Sequence, residues 1–312
     1  MFANPTGSGH RSARAVVAGW LIAVQVLLTA SVGAVFCGAG NATEAAPGGV
    51  VQVDPTNGVD PTNGQNVIAA VGAATRVADA VGPMELEAAI LDTRTGELAL
   101  GGHPVTPMLS ASLSKLLLAV DIVDRRRDEG LVVGQPAIDL IRQALGPSDD
   151  FAMNELWTGF DGAGAVGRVS VRLGLTGTVV PDDPSIWGEV TITAADIAKV
   201  YRHVLRMPQS DRELILGALA AAPAVAADGF DQSFGLLAPR STGSVVGKQG
   251  WMCCWGRTSY LHSAGVVGDE RFVVVLLSRQ ELEEDWQAGR DRLTAVANTV
   301  NEVLGAPVDV EP

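Results

Sequence analysis

Ser112-Leu-Ser-Lys115, running straight into Leu116-Leu-Leu-Ala-Val120, is the stretch on which the reading of this chain turns. A helix that begins at Ser112 puts positions i and i+3 on one face, so the serine hydroxyl and the lysine amine can meet. A serine hydroxyl is a poor nucleophile until a base lies within hydrogen-bonding reach. Lysine serves as that base once burial and neighbouring positive charge pull its pKa below the ordinary value of about 10.4. The apolar run after Lys115 takes the helix into a core, where such burial is found. A serine at a helix start is also a common cap, so the tetrapeptide draws its meaning from what accompanies it.

Two further groups follow in order. Ser148-Asp149-Asp150 opens the stretch Phe151-Ala-Met-Asn154-Glu-Leu156, and Lys248-Gln249-Gly250-Trp251 sits on the first of three late strands, SVVGKQGWM, SYLHSAGVV and RFVVVLLS. S-x-x-K, S-D-N and K-T-G together form the signature of a serine acyl-transfer superfamily. On these motifs the chain resembles the class A β-lactamases and D-alanyl-D-alanine peptidases of the penicillin-binding protein superfamily. The likeness covers residues 88–304: ILDTRTG looks like the opening hairpin, ALGPSDDFAMNELW like the helix carrying the second motif, and VTITAADIAKVYRHVL like the helix after the omega loop.

The resemblance implies a role for each matching residue. Ser112 is the acylated nucleophile, Lys115 accepts its proton, and Ser148 relays a proton to the leaving group. Asp150 and Lys248 contact the substrate, Gln249 and Gly250 flank it on the strand, and the N–H groups of Ser112 and Met252 form the oxyanion hole. The ligand implied is a cell-wall peptide or a β-lactam-like small molecule. Three departures bear on this. Asp150 replaces an amide with a carboxylate. Gln249 replaces the hydroxyl residue that receives the substrate's carboxylate. The omega-loop stretch LTGTVVPDDPSIWGEV lacks an E-x-x-x-N pattern, leaving Asp182, Asp183 and Glu189 as its carboxylates. Slow β-lactam hydrolysis is therefore expected, and the competing reading is an inactive domain of the same fold that binds a peptide or protein. His262 reads as a strand residue, not a base.

Periodicity and turn signals give a fold expectation of their own. Residues 67–80 read as a helix, ELEAAILD and TRTGELALG as a β-hairpin turning at residues 93–96, residues 136–219 as mostly helical, and residues 284–304 as a final helix. Two early strands, three late ones and helices between them predict an α/β (α+β) domain: a five-stranded antiparallel sheet flanked by helices, with a helical insertion.

Outside the domain, residues 15–43 carry no formal charge and follow Arg11 and Arg14. About 20 apolar residues suffice to cross a bilayer, and a basic flank keeps the N-terminus inside. The length favours a retained single-pass anchor; a cleaved signal peptide and lipidation at Cys37 are the alternatives. Each places the domain outside the cytoplasm. Residues 1–43 are thus the membrane segment, 44–66 a flexible spacer holding the tandem repeat Val53-Asp-Pro-Thr-Asn-Gly58 and Val59-Asp-Pro-Thr-Asn-Gly64, and 67–312 the folded domain. A formal net charge of -13 argues against a nucleic-acid partner. Four histidines without ligand spacing call for no metal or other cofactor. Three cysteines make no disulfide framework, and Cys253 and Cys254 read as ordinary strand residues.

Overall fold

The computed structural model describes residues 50–52, 64–102, 107–239, 245–255, 257–281 and 286–305. The membrane segment, Cys37 and most of the repeat lie outside them. Among the described residues no helix is long and apolar enough to cross a membrane.

In chain order the elements are β1 (Val50–Gln52), α1 (Gly64–Ala80), β2 (Met84–Asp92), β3 (Leu98–Gly102), β4 (Met108–Leu109), α2 (Ser114–Asp128), α3 (Gln135–Leu145), α4 (Asp150–Gly159) and α5 (Gly162–Leu173). There follow β5 (Thr191–Ile192), α6 (Ala194–Arg206), α7 (Gln209–Ala220), β6 (Val245–Trp255), β7 (Thr258–Val267), β8 (Phe272–Glu281) and α8 (Gln287–Gly305). The main sheet has the order β1-β3-β2-β8-β7-β6 and is antiparallel throughout. The five long strands are those expected, and the early hairpin meets the last strand through Ile90↔Val274. A sixth, Val50–Gln52, comes from the stretch read as spacer and pairs with β3 at the sheet edge.

The expected turn forms because Asp92 is buried and its Oδ1 accepts the N–H groups of Arg94 and Thr95 at 2.8 and 3.3 Å, while Gly96 takes φ +80°. That is an Asx-type turn closed by a residue in the left-handed region. Both faces of the sheet are covered, so its strands read as unbroken apolar runs and not as alternating ones. The pleat sends Leu86, Ala88 and Ile90 of β2 and Val274 and Leu276 of β8 toward α1 and α8. Ala89, Leu91, Val273, Val275 and Leu277 face the helical part.

Helix α2 runs through the middle of that helical part, with every residue from Ser114 to Asp124 buried. Its inward charges are matched: Arg168 holds Asp121 at 2.8 Å, and Asp124 accepts from Arg127, Arg172 and His203 at 2.6–2.8 Å. These partners hold the Asp124 carboxyl below its usual range against its burial. One expectation fails here. Cys253 is disulfide-bonded and not a free strand thiol.

Candidate active site

Ser112 lies on a single 3-10 turn, Ala111–Leu113, that precedes α2, so the helix proper starts two residues later than the spacing predicts. Ala111 has φ +46°. A non-glycine residue in that region costs roughly 1–3 kcal/mol and persists where the surroundings over-determine it. Here the turn is fixed by Leu113 N–H and Ser114 Oγ–H, which donate to Ser110 O at 3.0 Å and Ala111 O at 2.9 Å. Ser148 is the second site residue in the left-handed region, with φ +59°. It is followed by Asp149, whose carboxylate caps α4 by accepting from Phe151 and Ala152 N–H at 2.8 and 3.2 Å. The two aspartates after Ser148 thus divide the work, and Asp150 is left to face the cleft.

The three motifs converge. Lys115 Nζ donates to Ser112 Oγ at 2.8 Å, Ser148 O at 2.9 Å and Asp150 Oδ1 at 2.6 Å, with Ser148 Oγ at 3.3 Å. Lys248 Nζ donates to Ser148 Oγ at 2.7 Å and to Gln249 O at 2.9 Å. An unbroken chain of contacts therefore runs from Ser112 through Lys115 and Ser148 to Lys248. Burial is the main cause that lowers the Lys115 pKa, and the Asp150 carboxylate opposes it. Lys248 is pushed well below the ordinary lysine value by burial and then by the charge of Lys115. Both amines are thereby drawn toward the neutral form that a proton acceptor needs.

Strand β6 closes in on the Ser112 turn because Gly250 has no side chain: a Cβ there would stand 3.1 Å from Ser110 O and 3.2 Å from His262 Cδ2. Met252, two residues on, lines the cleft with Ser112. Gln249 is the expected site residue that the structure does not bring in. It is 1% exposed, and its Nε2 donates to the carbonyls of Phe234 and Gln232 behind the strand. An alternating strand that points Lys248 at Ser148 turns its neighbour away. His262 is also no base: its ring bridges Leu109 O at 2.7 Å and Ser278 N–H at 3.2 Å, and burial pushes its pKa down to about 4.

The cleft encloses about 340 Å³. Its other wall contains residues that the motifs did not mark. Trp187 stands with its ring centroid 4.7 Å from Lys115 Nζ and donates Nε1–H to Asn154 Oδ1 at 2.8 Å. Its loop is stitched to the Ser112 turn by Ser110 N–H to Val190 O at 2.7 Å and by the β4–β5 pair. Of the loop's carboxylates, Asp183 accepts from Ser185 N–H and Oγ–H, while Asp182 is exposed. Among the described residues none of Asp182, Asp183 and Glu189 bonds to Ser112 or Lys115. Asp228 enters on the loop 223–232 and accepts Trp251 Nε1–H at 3.0 Å. A lone tryptophan inside the polar stretch PDDPSIWGEV was the sequence signal for Trp187. Asp228 had none. Among the described residues no cluster of histidine, cysteine, aspartate and glutamate could hold a metal.

Solved class A β-lactamases share this fold. The TLA-3 extended-spectrum β-lactamase matches with a TM-score of 0.62 at 10% identity, over 75% of this chain and 99% of that one. A class A enzyme from Mycobacterium abscessus matches at 0.59 and 18%, over 76% and 100%. The fold is that of the β-lactamase and penicillin-binding protein superfamily. No family model matches the chain. LppW of Mycobacterium tuberculosis and of Mycobacterium bovis, each named as a lipoprotein, is 32% identical over 224 residues, covering 69% of this chain and 69% of its own. The chain belongs to the LppW family.

Proposed function

We propose that the protein is a serine acyl-transferase or hydrolase that forms a long-lived acyl-enzyme at Ser112, outside the cytoplasmic membrane. The observation that carries this reading is the Ser112–Lys115–Ser148–Lys248 chain of contacts, buried and poised beside an open cleft. Neutral Lys115 takes the Ser112 proton as Oγ bonds to a substrate carbonyl carbon. The oxyanion forms against the N–H groups of Ser112 and Met252. As it collapses, the C–N or C–O bond to the leaving group breaks, and the proton passes through Ser148 to that group. Water must then add to the ester, giving up a proton, to release the acid and restore Ser112. The Trp187 ring stands 4.7 Å from Lys115 Nζ, and among the described residues none of that loop's carboxylates bonds to Ser112 or Lys115, which supports the lack of a base for that water. General-base help is worth about 10²–10⁴-fold, so its loss leaves deacylation slow. Cell-wall peptides are the substrate class that the family likeness suggests, and β-lactams are expected to turn over poorly. The lipoprotein name of LppW supports an envelope location, as do residues 15–43 and Cys37.

A second reading, a domain that binds without chemistry, is favoured by the 2.6 Å contact between Lys115 and Asp150, which stabilises the protonated amine. Intact mass after treatment with a fluorophosphonate separates the two. Acylation predicts one adduct per chain, mapped to Ser112 and absent from Ser112→Ala. An unmodified wild-type mass selects the binding domain.

A further inference from the structure

The cleft has an asymmetry of charge that acylation by itself does not use. Its two cations lie behind the reacting hydroxyls: Lys115 and Lys248 are each 1% exposed, with their Nζ atoms committed to Ser112, Ser148 and Asp150. The charged side chains that line the open space are Asp150 and Asp228, and no described lysine or arginine lines it. Asp150 is more than half exposed, its side chain at 56%. Asp228 is anchored and not loose. Its loop is tied down by Ala227 N–H to Pro147 O at 2.8 Å and by Gln232 Nε2–H to Pro223 O at 2.7 Å. Its two oxygens accept from Phe230 N–H at 2.9 Å and Trp251 Nε1–H at 3.0 Å, and both donors are neutral. No ion pair to a described residue offsets its charge. Gln249, which the β-lactamase resemblance put where a substrate carboxylate is received, has its amide nitrogen committed to the backbone carbonyls behind the strand. Ile186, Trp187, Trp251 and Met252 make the remaining wall largely apolar.

A carboxylate entering this space gives up its hydration to meet Asp228, whose charge no ion pair to a described residue offsets, and Asp150, whose charge is shared with Lys115 behind it at 2.6 Å; a positive group is attracted above all by Asp228. Building on the acylation reading, we propose that the cleft takes an ester or amide carrying an ammonium or guanidinium group on a short apolar stem beside the scissile carbonyl. It excludes substrates with a carboxylate in that place. An internal linkage flanked by a basic side chain fits. A linkage next to a chain-terminal carboxylate does not. The bond changes are those of the acylation step: Ser112 Oγ–C forms, the bond to the leaving group breaks, and the leaving group departs with the proton.

Three p-nitrophenyl esters of equal acyl length test this, ending in trimethylammonium, tert-butyl and carboxylate. The first-turnover rate constant for p-nitrophenolate release should rank cationic above neutral above anionic, with about tenfold between the ends at low salt and less at high salt. Asp228→Asn should cut the cationic-to-anionic ratio at least threefold, and Asp228→Lys should invert it. An equal or reversed ranking in the wild type, or a ratio unmoved by both substitutions, overturns the charge selection. Binding of the matching non-reactive amides to Ser112→Ala reads the same ranking without chemistry. If no ester acylates the wild type while that ranking holds, the acylation reading fails and the charge selection stands. If the binding ranking is flat, the charge selection fails whatever the esters do.

Discussion

Behind Ser112, two lysines and Ser148 are packed into the core with no more than 2% of any of them exposed. In front of it, residues 181–189 and 223–232 bring Trp187, Ile186 and Asp228 to the open space. The rear wall hangs on α2, the start of α4 and β6, elements whose positions are fixed by two cores and a six-stranded sheet. The front wall hangs on loops. Proton transfer needs atoms held within a few tenths of an ångström, and close-packed elements supply that. Choice of ligand, and of the water that ends the reaction, can be respecified by one loop side chain without disturbing the core. The front wall is also where the residues that the motifs did not mark sit, an indole and a carboxylate facing the open space.

The largest effect expected falls on the rear wall. Lys115→Met should slow acylation of Ser112 by about 10²–10⁴-fold, read as the rate of fluorophosphonate labelling. A loss below fivefold, in a variant that keeps its fold, would remove Lys115 as the base. Burial as the agent that lowers its pKa can be tested away from the cleft. Glu87 on β2 is fully buried, accepts Ala194 N–H at 2.8 Å, and has its pKa pushed up to about 8 by desolvation. A carboxyl raised in the folded state contributes full stability below its unfolded pKa and loses it as pH climbs through the folded value. Glu87→Gln should therefore gain on the wild type between pH 5 and pH 9. The gain should grow by about 1.4 kcal/mol for each tenfold drop in proton concentration between the unfolded and folded pKa values. Parallel denaturation curves at the two pH values would show that burial there carries no such cost.

Two smaller effects probe the front wall and the contact between the walls. Trp187→Glu puts a carboxylate where the ring now covers Lys115, and should shorten the acyl-enzyme lifetime about tenfold, a fraction of what a fully positioned base supplies. A lifetime unchanged or lengthened in mass-spectrometric time courses would mean that something other than the missing carboxylate slows release. Asp150→Asn removes the anion that favours protonated Lys115. The amine pKa then falls further, and the acid limb of the pH–acylation profile should move to lower pH. Movement to higher pH would show that Asp150 assists deprotonation.

Much of the rear wall was legible in the sequence, because it is specified by local rules. S-x-x-K spacing puts Ser112 and Lys115 on one turn, Ser148 precedes a helix capped by its own neighbour, and Lys248 lies on a strand that needs Gly250 to pass the Ser112 turn. The sheet followed from a turn signal at residues 93–96 and three late apolar strands. The front wall was largely hidden. Gln249 was assigned to the substrate from its place in a motif, but which face a strand residue presents depends on register. Asp228 reaches the cleft through a loop held at Gly146 and Pro147, contacts between segments far apart in the chain. Val50–Gln52 joins the sheet from a turn-rich stretch because the edge of β3 offers it a partner, a tertiary circumstance with no local mark.

Fast acylation followed by slow release is the centre of the account, and burst kinetics reads both halves at once. With a neutral p-nitrophenyl ester in excess, stopped-flow absorbance should show one equivalent of p-nitrophenolate released per chain in a fast phase. A much slower steady state should follow, with the acyl mass present on Ser112 throughout and both phases lost in Ser112→Ala. Release that is linear from the first turnover, with no acyl mass at any time, would contradict it.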